Sequence, residues 1–138
     1  MKNIFTAILL LSSSIVASAG NPPKAVQKAF KEKFGNATAV KWIKENATEW
    51  EAEFLLNSVK ISANFSNDGT WVETETTVAI TELPLPVVAA IKKQYPIWTI
   101  VGAAKIEVSG KVLRYEADIK AGKKKKEVFY TGDGTLIK

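Results

Sequence analysis

The chain spells one short phrase twice. Residues 64–75 read NFSNDGTWVETE and residues 128–138 read VFYTGDGTLIK. A shift of 65 residues lays Trp50 to Glu73 on the later stretch without a gap. WEAEF (50–54) then falls on YEADI (115–119), Phe65 on Tyr130, and Asp68-Gly69-Thr70 on Asp133-Gly134-Thr135. Upstream, a shift of 61 aligns PPKAVQKAFKEKFG (22–35) with LPLPVVAAIKKQYP (83–96), so the second copy carries four extra residues between about Val101 and Tyr115. A repeat of this length constrains the fold strongly. Each copy has to be one supersecondary unit, and adjoining copies have to share a core.

Each copy opens with a helical pattern. Val26, Ala29, Phe30 and Phe34 form one apolar stripe, and Val87, Ala90, Ile91 and Tyr95 repeat it. Prolines stand at both starts, where a missing N–H costs least, and Gly35 and Pro96 stop the helices. Period-two alternation follows. Trp50, Ala52, Phe54 and Leu56 point one way while Glu49, Glu51 and Glu53 point the other. Tyr115, Ala117 and Ile119 alternate with Arg114, Glu116, Asp118 and Lys120, and Ile61, Ala63, Phe65, Val128 and Tyr130 are expected in the core. The doubled Asp-Gly marks hairpin turns, since Gly supplies positive φ at no steric cost. Further turns are expected at Asn46-Ala47, Asn57-Ser58, Ser109-Gly110 and Ala121-Gly122. The expectation is an α+β fold: two tandem repeats, 20–80 and 81–138, each a helix plus four antiparallel strands, joined in one sheet with both helices on one face.

The first 19 residues read as an address. A basic MKN start, the apolar run IFTAILLLSSSIVA and the small residues of ASA (17–19) predict a cleavable signal peptide. The run is short of the roughly twenty apolar residues a membrane span needs, so no transmembrane segment is expected in the mature chain. Loss of Lys2 lowers the net charge from +5 to +4. Export without cysteine fits a bacterial envelope protein, periplasmic or secreted.

The absence of both Cys and His removes disulfides, thiolate nucleophiles, the usual zinc sites and imidazole acid–base chemistry. Paired carboxylates remain. Glu49, Glu51 and Glu53 form one row, Glu73 and Glu75 another, and alternate strand residues lie roughly 7 Å apart. A hydrolase built on such a pair would show strongly raised carboxyl pKa values. The plainer reading is a solvated strand face. Asp68 and Asp133 lack the extra oxygens a calcium loop needs, so no metal and no cofactor are expected.

Two surface features stand out. The run KAGKKKKE (120–127) could meet an anionic glycolipid through Lys123–Lys126, or simply guard a strand edge. Phe129 falls among charges, in line with Lys125 and Glu127; alternation alone does not settle the faces of Trp42, Trp71 and Trp98, although a three-residue turn pairing Phe65 with Trp71 would bring Trp71 inward.

Taken together, P–AV–AF–FG, then V–W, WEAEF and ANFSNDGTW–E, restarted at LP–V–AI–YP, resemble the PepSY-like proteins, which are also described as similar to the beta-lactamase inhibitory protein. The resemblance covers residues 22–138. It implies exported bacterial proteins of tandem helix-plus-four-strand units, with no catalytic residues to carry over. The inhibitory protein grips its enzyme with the open face of its sheet, but the resemblance implies a shared fold, and fold does not fix function; this chain also lacks the inhibitor's cysteines.

The sequence therefore predicts a non-enzymatic binding or inhibitor-like module that meets an envelope protein, and no nucleic acid. The expected working surface is Glu51, Glu53, Lys60, Ser62, Asn64, Arg114, Glu116, Lys125, Glu127 and Phe129. A glycolipid-binding lysine tip and a carboxylate hydrolase are the alternatives.

Overall fold

The computed structural model describes residues 20–137. The signal-peptide reading lies outside them. In chain order the elements are α1 (Lys24–Lys33), β1 (Thr38–Lys44), β2 (Glu49–Leu56), β3 (Val59–Ser66), β4 (Trp71–Val78), a short 3₁₀ turn (Ile80–Glu82), α2 (Leu85–Gln94), β5 (Thr99–Val108), β6 (Arg114–Ala121) and β7 (Lys124–Thr131). All seven strands join one antiparallel sheet in sequential order. None of the described helices is long and apolar enough to cross a membrane.

Both helices begin behind a proline, Pro23 and Pro84, and end on an aromatic, Phe34 and Tyr95, whose N–H still bonds the carbonyl four residues back. Lysines fill the last turn of each, Lys31 and Lys33 in α1 and Lys92 and Lys93 in α2, where the helix dipole favours positive charge. The apolar stripe of α1 buries Val26 and Phe30 against Trp50, Ala52, Phe54, Ile61, Ala63 and Phe65. That of α2 buries Val87 and Ile91 against Ala103, Ala117, Ile119, Val128 and Tyr130. Following the register from strand to strand places both clusters on the same side of the sheet.

The three unplaced tryptophans also lie on the helix side. Trp42 meets Phe30 edge-on with ring centroids 5.1 Å apart. Trp71 pairs with Phe65 through a bulge, donates to Thr74 Oγ1 at 2.9 Å and carries Lys33 Nζ 4.1 Å above its ring. Trp98 packs on the second cluster beside Tyr95.

The expected eighth strand does not form among the described residues. Among the described residues only Thr135–Ile137 follow the turn at Gly132–Gly134, and they make a single bridge, Tyr130↔Leu136. Three residues cannot build the ladder that β4 builds with eight. The four inserted residues of the second half lengthen β5 to ten residues against seven in β1, and the loop after it to five against four. This longer strand pairs with both β4 and β6 and so joins the two halves of the sheet.

That junction is inside out. On the helix side, between the two clusters, β4 and β5 carry Thr74, Thr76, Lys105 and Glu107, with Lys105 and Glu107 ion-paired at 3.5 Å. On the side without helices the same strands bury Ala104 and Ile106.

Candidate functional site

The side of the sheet away from the helices is floored by alternate residues of every strand, and the register lays them out in rows. One row runs Ile43, Glu51, Asn64, Glu73, Val108. The next runs Lys41, Glu53, Ser62, Glu75, Ile106, Arg114, Thr131. A third runs Leu55, Lys60, then, across β4, Thr77, Ala104, Glu116, Phe129, and Asp118 stands opposite Glu127 beyond it. All ten residues expected on the open face are on it.

Their exposure differs from the expectation. Glu51, Asn64 and Glu116 are each only 4% exposed. Glu53, Ser62, Arg114, Glu127 and Phe129 are half-buried, and only Lys60 and Lys125 are exposed. Alternation fixes which side of a sheet a residue faces, not its depth. A side chain on an inner strand has neighbours across both flanking strands, about 5 Å away, and these shield it even where no helix covers the sheet. The two exposed lysines stand near hairpin ends, where such neighbours run out.

Burial and crowding of like charge govern the titration of this face. The Glu51 carboxyl is pushed up to about 7, first by burial and then by the negative charges of Glu45, Glu53, Glu75 and Glu73. Glu75 is likewise pushed up to about 7 by burial and by Glu73, Glu127 and Asp118, with Lys60 acting the other way. Glu116 reaches about 9 through burial and the charges of Glu75, Glu127, Asp118 and Glu73. Glu73 is raised by burial and by Glu49, against the opposing pull of Arg114. Lys41 pairs with Glu53 at 3.7 Å near the edge of the sheet. A small hollow between β2, β3 and β4 is lined by Glu51, Glu53, Lys60, Ser62, Glu75 and Thr77, with Ile61 beneath.

A tighter group sits across β6 and β7. Glu116, Asp118 and Glu127 each bring one carboxylate oxygen within 4.8 Å of the other two. Gly102 makes room for it. A β-carbon there would lie 2.5 Å from Asp118 Oδ2. The sequence reading counted Glu116 and Glu127 as partner contacts and expected no metal. The E-x-D spacing on one strand was visible, but the cross-strand pairing of Asp118 with Glu127 required the register.

The lysine run is divided between the two sides of the sheet. Lys123 lies in the turn, Lys125 faces the open side beside Glu127, and Lys126 faces the helix side with Nζ 4.9 Å above the Tyr95 ring.

The profile of the family described as "Putative beta-lactamase-inhibitor-like, PepSY-like" matches residues 15–61 and again 51–138. No curated protein matches the chain. Among solved structures, a DUF2874 family protein of Bacteroides ovatus is 26% identical over 86% of both chains with a TM-score of 0.75. A BLIP-like protein of Bacteroides fragilis is 24% identical, covers 88% of this chain and 86% of its own, and gives a TM-score of 0.71. A structure from Bacteroides eggerthii described as "putative periplasmic proteins" is 19% identical over 86% and 88% of the two chains, with a TM-score of 0.78. With matches that together span residues 15–138 and a sheet that superposes on these structures, the chain belongs to the PepSY-like, beta-lactamase-inhibitor-like family.

Proposed function

We propose that the protein is an exported, non-enzymatic binding module of the bacterial envelope whose open sheet face receives a protein partner. The observation that carries this reading is the inverted junction. Ala104 and Ile106, only 5% and 7% exposed, form an apolar floor on the open side, and half-buried Phe129 is the apolar side chain a partner reaches there, with carboxylates around it. An apolar centre with a charged rim is the anatomy of a protein interface. Glu53, Ser62, Arg114, Glu127 and Phe129 are the residues a partner would touch first. Glu51, Asn64 and Glu116 form the floor beneath them, and Lys60 and Lys125 mark its ends. The concentration of acid on this face favours a partner that presents Lys or Arg. The similarity to a BLIP-like protein supports a role in protein binding, and the signal-like leader together with periplasmic relatives supports an envelope location.

The raised carboxyls of Glu51, Glu75 and Glu116 favour a second reading, hydrolysis by a carboxylate pair. Accessibility weighs against it. A general acid has to reach its substrate within hydrogen-bond distance, and Glu51 and Glu116 lie at the bottom of the face rather than in an open cleft.

The test is recovery of one envelope protein by the mature chain and by two variants at fixed salt. Glu53→Lys with Ser62→Arg should lower recovery by more than about tenfold, or about 1.4 kcal/mol, without lowering the melting temperature. Lys123–Lys126 changed to Ser should leave recovery intact. The reverse pattern would move the function to the lysines and to an anionic glycolipid surface. Cleavage of a glycoside by the chain, lost in Glu75→Gln, would establish the hydrolase.

A further inference from the structure

We infer that Glu116, Asp118 and Glu127 form a binding site for a hard divalent cation of calcium size. Three observations carry this, and none depends on the identity of a protein partner. The first is the geometry. One oxygen from each carboxylate lies within 4.8 Å of the others. Calcium binds oxygen at about 2.3–2.6 Å, so ligands on opposite sides of one ion stand up to about twice that distance apart. The group is therefore already drawn in to the size of such a coordination sphere. Magnesium, which holds oxygen at about 2.0–2.1 Å in a rigid octahedron, would require further contraction.

The second is an unsatisfied atom within the group. Glu116 is only 4% exposed, and its Oε2 has no hydrogen-bond partner among the described residues. A buried carboxylate oxygen without a donor costs free energy unless a proton or a cation meets it. Its surroundings offer more negative charge rather than a counter-ion: Glu75 on β4 bears on it most strongly, followed by Glu127 and Asp118. Two neighbours of Glu116 across the strands are Ala104 and Phe129, neither of which can neutralise it.

The third is the opening in β5. Gly102 stands opposite Asp118, and the Asp118 carboxylate occupies the space a side chain would fill. Asp118 itself is exposed, so the group opens to solvent on that side while Glu116 closes it from below. The Glu75 charge also bears on Glu116, so a cation bound here would relieve its repulsion too. Lys120 and Lys125 lie beyond the group toward the hairpin end rather than within it.

The test uses the chelator-treated mature chain at about pH 8, where ordinary carboxylates are ionised. Calcium chloride and magnesium chloride are titrated separately by calorimetry, and melting is followed in each. The expected result is one calcium per chain, at least about tenfold weaker magnesium, and a melting temperature that rises with calcium concentration, as linkage requires of a ligand that binds only the folded chain. Glu116→Gln together with Asp118→Asn should remove both the heat and the shift while melting no lower than the wild type without metal, because it deletes the Asp118 charge and replaces a carboxyl that holds its proton there by a neutral amide. Gly102→Ala, which displaces Asp118, should weaken calcium binding. No heat and no shift up to about 10 mM calcium, beyond the range of weak extracellular sites, would overturn the inference. So would binding that survives the double variant.

Discussion

A β-carbon on Gly69 would lie 2.6 Å from the carbonyl oxygen of Ala25. One on Gly134 would lie at the same 2.6 Å from the carbonyl oxygen of Pro86. These pairs are equivalent under the two shifts that align the halves of the chain. Both glycines hold positive φ, 88° and 87°. Asp68 Oδ1 accepts from Thr70 N–H at 2.9 Å and Asp133 Oδ1 from Thr135 N–H at 3.0 Å. The doubled Asp-Gly-Thr is therefore more than a hairpin turn. It lets the turn press against the first turn of its helix and so fixes the helix on the sheet.

Gly69→Ala and Gly134→Ala should each destabilise the fold by more than about 1 kcal/mol, from left-handed backbone and backbone overlap together. Gly110→Ala supplies the control. It also has positive φ, 67°, but a β-carbon there meets nothing within 4 Å. Denaturant titration should rank it mildest of the three, and equal losses would mean that the helix contact contributes nothing.

Trp50 anchors the first core cluster and donates from Nε1 to Asn67 Oδ1 at 3.1 Å, while Asn67 Nδ2 donates to the Ala47 carbonyl at 3.0 Å. Trp50→Ala should cost about 3–5 kcal/mol through the cavity it leaves. Trp50→Phe keeps most of the volume and loses the hydrogen bond, and should cost about 1–2 kcal/mol. Guanidinium unfolding at fixed pH separates the two.

The acidic floor predicts a particular pH dependence. Glu51 and Glu75, raised to about 7, and Glu116, raised to about 9, hold their protons more tightly folded than unfolded. Their favourable contribution is fully present below the ordinary carboxylate range, near pH 4.5, and is lost as pH rises through the folded values. In chelator the melting temperature should therefore be higher at about pH 5.5 than at about pH 8. Asp68 and Asp133 are shifted the other way by their turn hydrogen bonds and act only under more acidic conditions. Glu51→Gln should flatten the dependence and raise stability at the upper pH. A melting temperature that climbs from pH 5.5 to 8 would contradict the buried, crowded state of these groups.

Much of the fold was legible because the repeat tested each reading twice. A helix stripe at Val26 and Phe30 gains weight when Val87 and Ile91 reproduce it, whereas the face of Trp71 stays open in the sequence, since one residue more or less in the turn reverses it, and only the register settles it. Depth was not legible. Glu51 and Lys60 share a face by alternation and both sit on inner strands, yet one is buried and the other exposed, because Lys60 stands by the hairpin end, where neighbours run out. The outward turn of Ala104 and Ile106 was also hidden. AAKIE reads as an ordinary alternating strand, and only its pairing with Thr77, Glu75, Glu116 and Arg114 shows which side is which. The missing eighth strand reflects the repeat alignment itself, which transferred β4 to a segment with too few described residues to form one.

The central claim is that this open face, and not the helix side, meets a protein partner. The most direct measurement places a photo-crosslinking side chain singly at Ser62, at Glu53 and, on the exposed outer surface of α1, at Lys28, and compares the adducts formed in the native envelope. The account predicts one shared adduct from Ser62 and Glu53, competed by unlabelled protein and absent from Lys28. An adduct from Lys28 with none from Ser62 or Glu53 would contradict it.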